Sequence, residues 1–167
     1  PGIAIVQDGA DADRFTAAAV EALGKVAPQT MLTDGIAKAY QDGQARFESR
    51  NTVKPLLTTA STGRTVLPNL FEISGEQFLA DHALSEEVFG PLGLVVRVSS
   101  VDEMEKLARN FEGQLTATIH MDAGDLEDAK RLRPVLERKA GRVLVNGFPT
   151  GVEVVDSMVH GGPYPAS

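Results

Sequence analysis

From Leu94 to Val98 the chain is apolar and mostly β-branched on consecutive residues. A strand with one face in water alternates apolar and polar side chains, so a nearly unbroken run marks a strand covered on both faces. Such strands belong to parallel sheets, whose neighbours must be joined by crossovers, usually helical. The rest of the chain supplies those parts. Ile3–Gln7, Val53–Ala60, Arg64–Ile73, Leu115–Met121 and Arg142–Val145 read as further strands. Over Asp11–Val26, Phe15, Ala18, Ala19, Ala22, Leu23 and Val26 repeat at helical spacing. Thr33 or Asp34 is a good N-cap for a second helix with Ile36, Ala39 and Tyr40 on one face. Ser74 caps a short helix running to about Leu84, and Ser100-x-x-Glu103 is a capping box ahead of Met104, Leu107, Ala108 and Phe111. Asp125 opens a helix with Leu126, Ala129, Leu132 and Leu136 on one face, which Pro134 is expected to kink. The predicted fold is α/β: three αβα layers, a mostly parallel sheet with helices on both faces. The strands on either side of Ser61-Thr62-Gly63 form an antiparallel flap. Asn146 to Ser167 is rich in Gly and Pro and reads as loop.

A length of 167 residues is one domain, long enough to bury a real core. The net charge of −7 argues against nucleic acid or an anionic membrane as the main partner. No apolar run approaches the length of a membrane span. With no cysteine, these residues hold no disulfide, no thiolate metal site and no cysteine nucleophile. His82, His120 and His160 lie far apart, without metal-ligand spacing, so no metal site is expected.

Three segments put turn formers beside residues able to touch a ligand: Glu86-Glu87-Val88-Phe89-Gly90-Pro91, Asn146-Gly147-Phe148-Pro149-Thr150-Gly151 and His160-Gly161-Gly162-Pro163-Tyr164-Pro165. The first offers a carboxylate acceptor for a sugar hydroxyl, a ring face for stacking and a stiff exit turn. The others follow a buried strand, where α/β proteins keep their sites. Each also has a plainer reading. Glu86-Glu87 could be a solvated acidic turn, Asn146 a strand-closing Asn bonded to backbone, and Phe148 a plug for the core. His160 could be an exposed loop histidine without a task, His120 a satisfied core or edge residue, His82 a surface one. The basic cluster Arg131, Arg133, Arg138, Lys139 and Arg142 suits the end of a helix. Ser157 near His160 could be written as a dyad, but no nucleophile-elbow pattern surrounds it.

Taken together the motifs resemble the aldehyde dehydrogenase superfamily. Glu86–Pro91 looks like its nicotinamide-ribose motif, and Arg142-Val143-Leu144-Val145-Asn146 like its strand ending in Asn near the active site. Val145–Val154 and Met158–Ser167, with His-Gly-Gly-Pro-Tyr-Pro where the wider superfamily has Pro-Phe-Gly-Gly, resemble the 2,5-dioxovalerate (α-ketoglutarate semialdehyde) dehydrogenase branch. The likeness covers nearly the whole chain. It implies the C-terminal part of a catalytic domain from a longer, cytoplasmic, homo-oligomeric enzyme. The nucleotide-binding domain and the catalytic Cys segment would lie ahead of Pro1-Gly2, so no catalytic residue is expected within the chain. The implied cofactor is NAD or NADP, held mainly by that other domain, with Glu87 and Phe89 as the cofactor-binding residues here. Asn146, Phe148 and His160 are the implied substrate-pocket residues, and the partner is a small-molecule aldehyde. The competing class is a non-catalytic α/β module for dimerisation or small-ligand binding. A serine hydrolase using Ser157 is a third, weaker option.

Overall fold

The computed structural model describes residues 2–148, 156–157 and 160–166. They fall into two compact units, Pro1–Ser100 and Val101–Ser167, each described by itself below.

The first unit runs β1 (Ile3–Gln7), α1 (Ala10–Gly24), β2 (Gln29–Thr30), α2 (Asp34–Glu48), β3 (Lys54–Leu57), β4 (Thr65–Val66), β5 (Asn69–Ser74), α3 (Gly75–Ala80) and β6 (Leu92–Val98). A 3-10 turn at His82–Leu84 lies between α3 and β6. One sheet has the order β1-β6-β5-β3. β6 is parallel to both β1 and β5, with Ile3 and Phe71 both opposite Leu94, and β3 closes the sheet antiparallel to β5. As its composition requires, β6 is covered on both faces: Leu94, Val95, Val96 and Val98 are all at most 2% exposed. Helices supply both covers. α2 lies on the Phe71 face, where the Phe47 and Phe71 rings meet at 5.4 Å. α1 lies on the opposite, Arg97 face, where Asp13 pairs with Arg97 at 2.8 Å.

Two expectations are corrected in detail. Of the expected stripe Phe15, Ala18, Ala19, Ala22, Leu23 and Val26, α1 half-buries only Ala19 and Leu23; it buries Ala12 and Thr16 and leaves Phe15 exposed. The reason is Arg97, a cation in the face that α1 covers. It draws Asp8 and Asp13 to 3.0 and 2.8 Å, bonds Glu72 at 2.9 Å, and donates to the Thr16 hydroxyl at 3.4 Å. A charge in the sheet selects the helix face that can satisfy it over the more apolar one. The second correction is the flap. Thr62 and Thr65 exchange backbone hydrogen bonds around Gly63 and Arg64, so the turn falls one residue later than expected. Pro68, without an N–H, then splits the following strand. Its first part, β4, pairs antiparallel with β2, and only β5 pairs with β3. α2 begins as expected, with Thr33 Oγ1 accepting from the Ile36 N–H at 3.2 Å. Its buried positions are Ala37, Tyr40, Gly43 and Phe47, a stripe slightly rotated from the expected one, with Ala39 exposed.

The second unit runs α4 (Val101–Asn110), β7 (Gln114–Ile119), α5 (Leu126–Leu136) and β8 (Ala140–Val145). β7 and β8 are parallel, Thr116 opposite Arg142 and Ile119 opposite Val145. α4 buries Leu107 and Ala108; α5 buries Ala129, Leu132 and Val135. Arg131 of α5 ties the two helices by reaching Asp102 and Glu105 of α4 at 2.6 and 3.1 Å. Asp125 accepts from the Asp122 N–H at 2.8 Å, closing a 3-10 turn ahead of α5. Pro134 stands in the last turn of α5, where the helix already ends.

Removing Arg97 leaves Glu72, only 12% exposed on its side chain, with Lys54 at 3.0 Å as its remaining partner and two exposed aspartates nearby. Arg97→Leu is expected to cost about 3 kcal/mol in urea unfolding, the range for breaking a buried ion pair from one side. A loss below about 0.5 kcal/mol, typical of an exposed pair, would contradict the central place given to this network.

Candidate functional site

Glu86 to Pro91 leads into β6 as a strip bent at Glu86 and again over Phe89–Pro91. Its alternate residues are held by α2. Glu86 makes an ion pair with Arg46. Val88 seats on Gly43, so closely that a Cβ there would lie 2.6 Å from one of its methyl carbons. Gly90, at φ 139°, tucks against Tyr40 and Met31, and a Cβ at that φ would be strained whatever the space. The intervening residues are open to solvent. Phe89 is 68% exposed. Glu87 is also exposed, and among the described residues its carboxylate has no hydrogen bond or ion pair. A free carboxylate and an open ring two residues apart, on a strip fixed from behind, can accept sugar hydroxyls and cover a flat heterocycle.

Beneath the strip lies a buried polar network. Tyr40, fully buried, reaches the carbonyls of Leu67 and Pro91 at 3.0 and 3.3 Å. Its hydroxyl accepts from Asn69 Nδ2 at 2.8 Å. Asn69, also fully buried, takes the Thr59 N–H on its Oδ1 at 2.7 Å, and its own N–H donates to the Pro91 carbonyl at 2.9 Å. Burial pushes the Tyr40 hydroxyl above the ordinary tyrosine range, against the bond from Asn69. The exit of the strip is therefore gripped at one carbonyl from two directions. Sequence reasoning found the strip but missed Tyr40, Gly43 and Asn69 as its supports. The one signal available was a glycine in the middle of an amphipathic helix face.

The sheet end matters as well. The Leu94 N–H donates to the Gly2 carbonyl at 2.8 Å. Gly2 thus lies beside the first residues of β6, at the N-terminal ends of the parallel strands.

The second unit holds the other expected residues. Asn146 follows β8 in the left-handed region, at φ 50°. Its amide pairs with one peptide across the gap: Oδ1 accepts from the Met121 N–H at 2.8 Å and Nδ2 donates to the Met121 carbonyl at 3.0 Å. This is the plainer role, a strand-closing clamp. Phe148 is 74% exposed and its ring stands 5.1 Å from that of His120, just past β7. Asn146, Phe148 and His120 therefore gather at the C-terminal edge of the β7–β8 pair, although His120 was expected to be structural. Its place immediately after a strand of a parallel pair was the available signal. His160 is not brought to them. Its loop lies across the opposite ends of the strands: the Gly113 N–H donates to the Tyr164 carbonyl at 3.2 Å, and Gly161 and Gly162 press on Gly141 and Gln114. That is about 16 Å from Asn146 along β8. The physical reason is backbone packing: without side chains at Gly113, Gly141 and Gly162, the three backbones approach more closely than any Cβ would allow. Part of the Asn146–Gly151 motif, from Pro149, lies outside the described residues, as do Glu153, Met158, Val159 and Ser167.

No family model matches the chain. It is 49% identical over its whole length to alpha-ketoglutaric semialdehyde dehydrogenase 2 of Azospirillum brasilense, covering 32% of that protein. It is 41% identical, again over its whole length, to the alpha-ketoglutaric semialdehyde dehydrogenase of Acinetobacter baylyi, covering 32% of it. The chain thus spans about a third of the length of the curated relatives it matches. In fold it resembles an aldehyde dehydrogenase of Physcomitrella patens solved with the reaction product succinate, with a TM-score of 0.76 and 23% identity over 96% of this chain and 33% of that one. Neighbours of the same fold have been solved with NAD+ and with NADP+. No helix among the described residues is long and apolar enough to cross a membrane. Over its whole length the chain is thus similar in sequence to curated semialdehyde dehydrogenases, and it shares the fold of solved aldehyde dehydrogenases.

Proposed function

We propose that the chain works as part of a longer NAD(P)-dependent aldehyde dehydrogenase, a homo-oligomer of the cytoplasm, and forms its nicotinamide-ribose grip and one wall of its substrate pocket. The substrate is a small aldehyde oxidised to a carboxylic acid, and the relatives' names favour α-ketoglutaric semialdehyde. The observation that carries this reading is the strip Glu86–Pro91. Its family motif is complete, Glu87 and Phe89 are displayed together, and their anchored neighbours face the helix.

The residues present fit the dinucleotide. Glu87, unpartnered among the described residues, would accept hydrogen bonds from the hydroxyls of the nicotinamide ribose. Phe89 lies along the nicotinamide side and excludes water there. NAD(P)+ supplies the hydride acceptor: a cysteine thiolate outside these residues adds to the aldehyde carbonyl, the hydride leaves, and water releases the acid from the thioester. What this chain contributes is position. Holding reacting groups in line can lower a barrier by several kcal/mol. The Gly2–Leu94 contact supports the same geometry, since a nucleophile on the segment entering β1 would arrive at the sheet end that displays Glu87 and Phe89. In the second unit we assign Phe148 to the mouth of the substrate pocket and Asn146 to its shape. The position of the His160 loop offers that residue no support as a neighbour of either.

Two outcomes are expected. The 167-residue chain, having no cysteine, shows no turnover of small aldehydes with excess NAD(P)+, measured as dinucleotide reduction. Turnover above background would contradict the assignment of the nucleophile elsewhere. In the longer enzyme, Glu87→Gln lowers the hydride-transfer rate by about tenfold to a hundredfold in single-turnover kinetics. The thermal midpoint stays unchanged, because Glu87 holds nothing in the fold. An equal loss of stability would make Glu87 structural instead.

A further inference from the structure

α2 carries a glycine in the middle of its buried face, Gly43. In a helix interior that residue costs about 1 kcal/mol relative to alanine. Its surroundings show what the empty position provides. A Cβ on Gly43 would stand 2.6 and 2.9 Å from the two Val88 methyl carbons and 3.3 Å from Val88 Cβ. Turning the side chain can move the methyl groups, but Val88 Cβ itself stays too close, so the backbone at Val88 must still give way from the helix. Val88 lies between Glu87 and Phe89. Its flanks are tied to the same helix, Glu86 by Arg46 and Gly90 by Tyr40. The strip is thus pinned at both ends, and its height in the middle is fixed by how deeply Val88 sits on α2.

We propose that Gly43 is a positioning residue for dinucleotide binding: by lacking a side chain it lets Val88 seat on α2, and that depth sets where Glu87 and Phe89 meet the nicotinamide ribose. This rests on the reading of Glu87 and Phe89 given above. The device acts through Val88 and touches no ligand itself. It differs from the anchor at Gly90, where the left-handed backbone requires glycine for its own conformation.

The test uses the longer dehydrogenase with Gly43→Ala, and with Gly43→Ala combined with Val88→Ala, which removes the obstructing methyl groups. Gly43→Ala is expected to raise the dinucleotide KM about tenfold and to lower kcat, since misplacement by about 1 Å can cost up to about a hundredfold. The aldehyde KM and the thermal midpoint change little. The double variant is expected to recover most of the loss, which a general packing defect would not do. Methyl and ring NMR signals of Val88 and Phe89 are expected to shift in Gly43→Ala and to return in the double variant. Unshifted signals overturn the proposal. So does a kinetic loss that Val88→Ala leaves unrepaired, or an unchanged KM in an enzyme where Glu87→Gln does impair hydride transfer. If the signals shift and return while Glu87→Gln is also silent, the positioning stands and the ribose-binding reading is what fails.

Discussion

β6 has no free side. β1 and β5 pair with its two edges, and helices cover its two faces. A strand confined in this way can neither slip nor tilt without breaking two ladders and two packed layers. Slipping by one residue would turn Leu94 and Val96 to the Arg97 face and Arg97 toward Phe71. The segment feeding into such a strand inherits its rigidity. Pro91 is the joint: its carbonyl accepts from the Asn69 N–H of the neighbouring strand and lies within reach of the Tyr40 hydroxyl. Six residues of turn sequence thereby become a fixed shelf. The residues between its anchors, Glu87 and Phe89, are left exposed.

The same principle, backbone geometry set by small residues, governs the second unit. The glycines at 113, 141 and 162 let a Gly/Pro loop lie on the start of a parallel strand pair at distances no side chain would permit. At the other end, Asn146 spends its amide on the Met121 peptide and so fixes the exit of β8. That clamp leaves the Phe148 ring exposed beside His120. The residue that resembles an active-site asparagine thus has a visible structural task, and the exposed ring pair beside it is the part of this edge free to meet a ligand.

Much of this was legible in the sequence, for reasons particular to each element. The run Leu94–Val98 announced a doubly covered strand, and Thr33 and Ser74 announced helix starts that the structure shows bonded as caps. The strip Glu86–Pro91 could be singled out because its residue types have few joint uses. What could not be read depended on partners far away in sequence. The face of α1 was misjudged because Arg97, some 80 residues on, decides it. The flap was misjudged because β4 pairs with β2, a strand of two residues that has no pattern of its own. Tyr40, Gly43 and Asn69 look like ordinary core residues until the strip is seen resting on them. His160 was grouped with Asn146 by likeness of motif, and strand direction separates them.

The most direct measurement is a graft. The chain would replace the matching third of the Azospirillum enzyme, to which it is 49% identical, and oxidation of α-ketoglutaric semialdehyde would be followed by dinucleotide reduction. The account predicts turnover that needs Glu87 of the graft. A graft that folds and binds the dinucleotide, yet turns over equally well when Glu87 is replaced by glutamine, would contradict it.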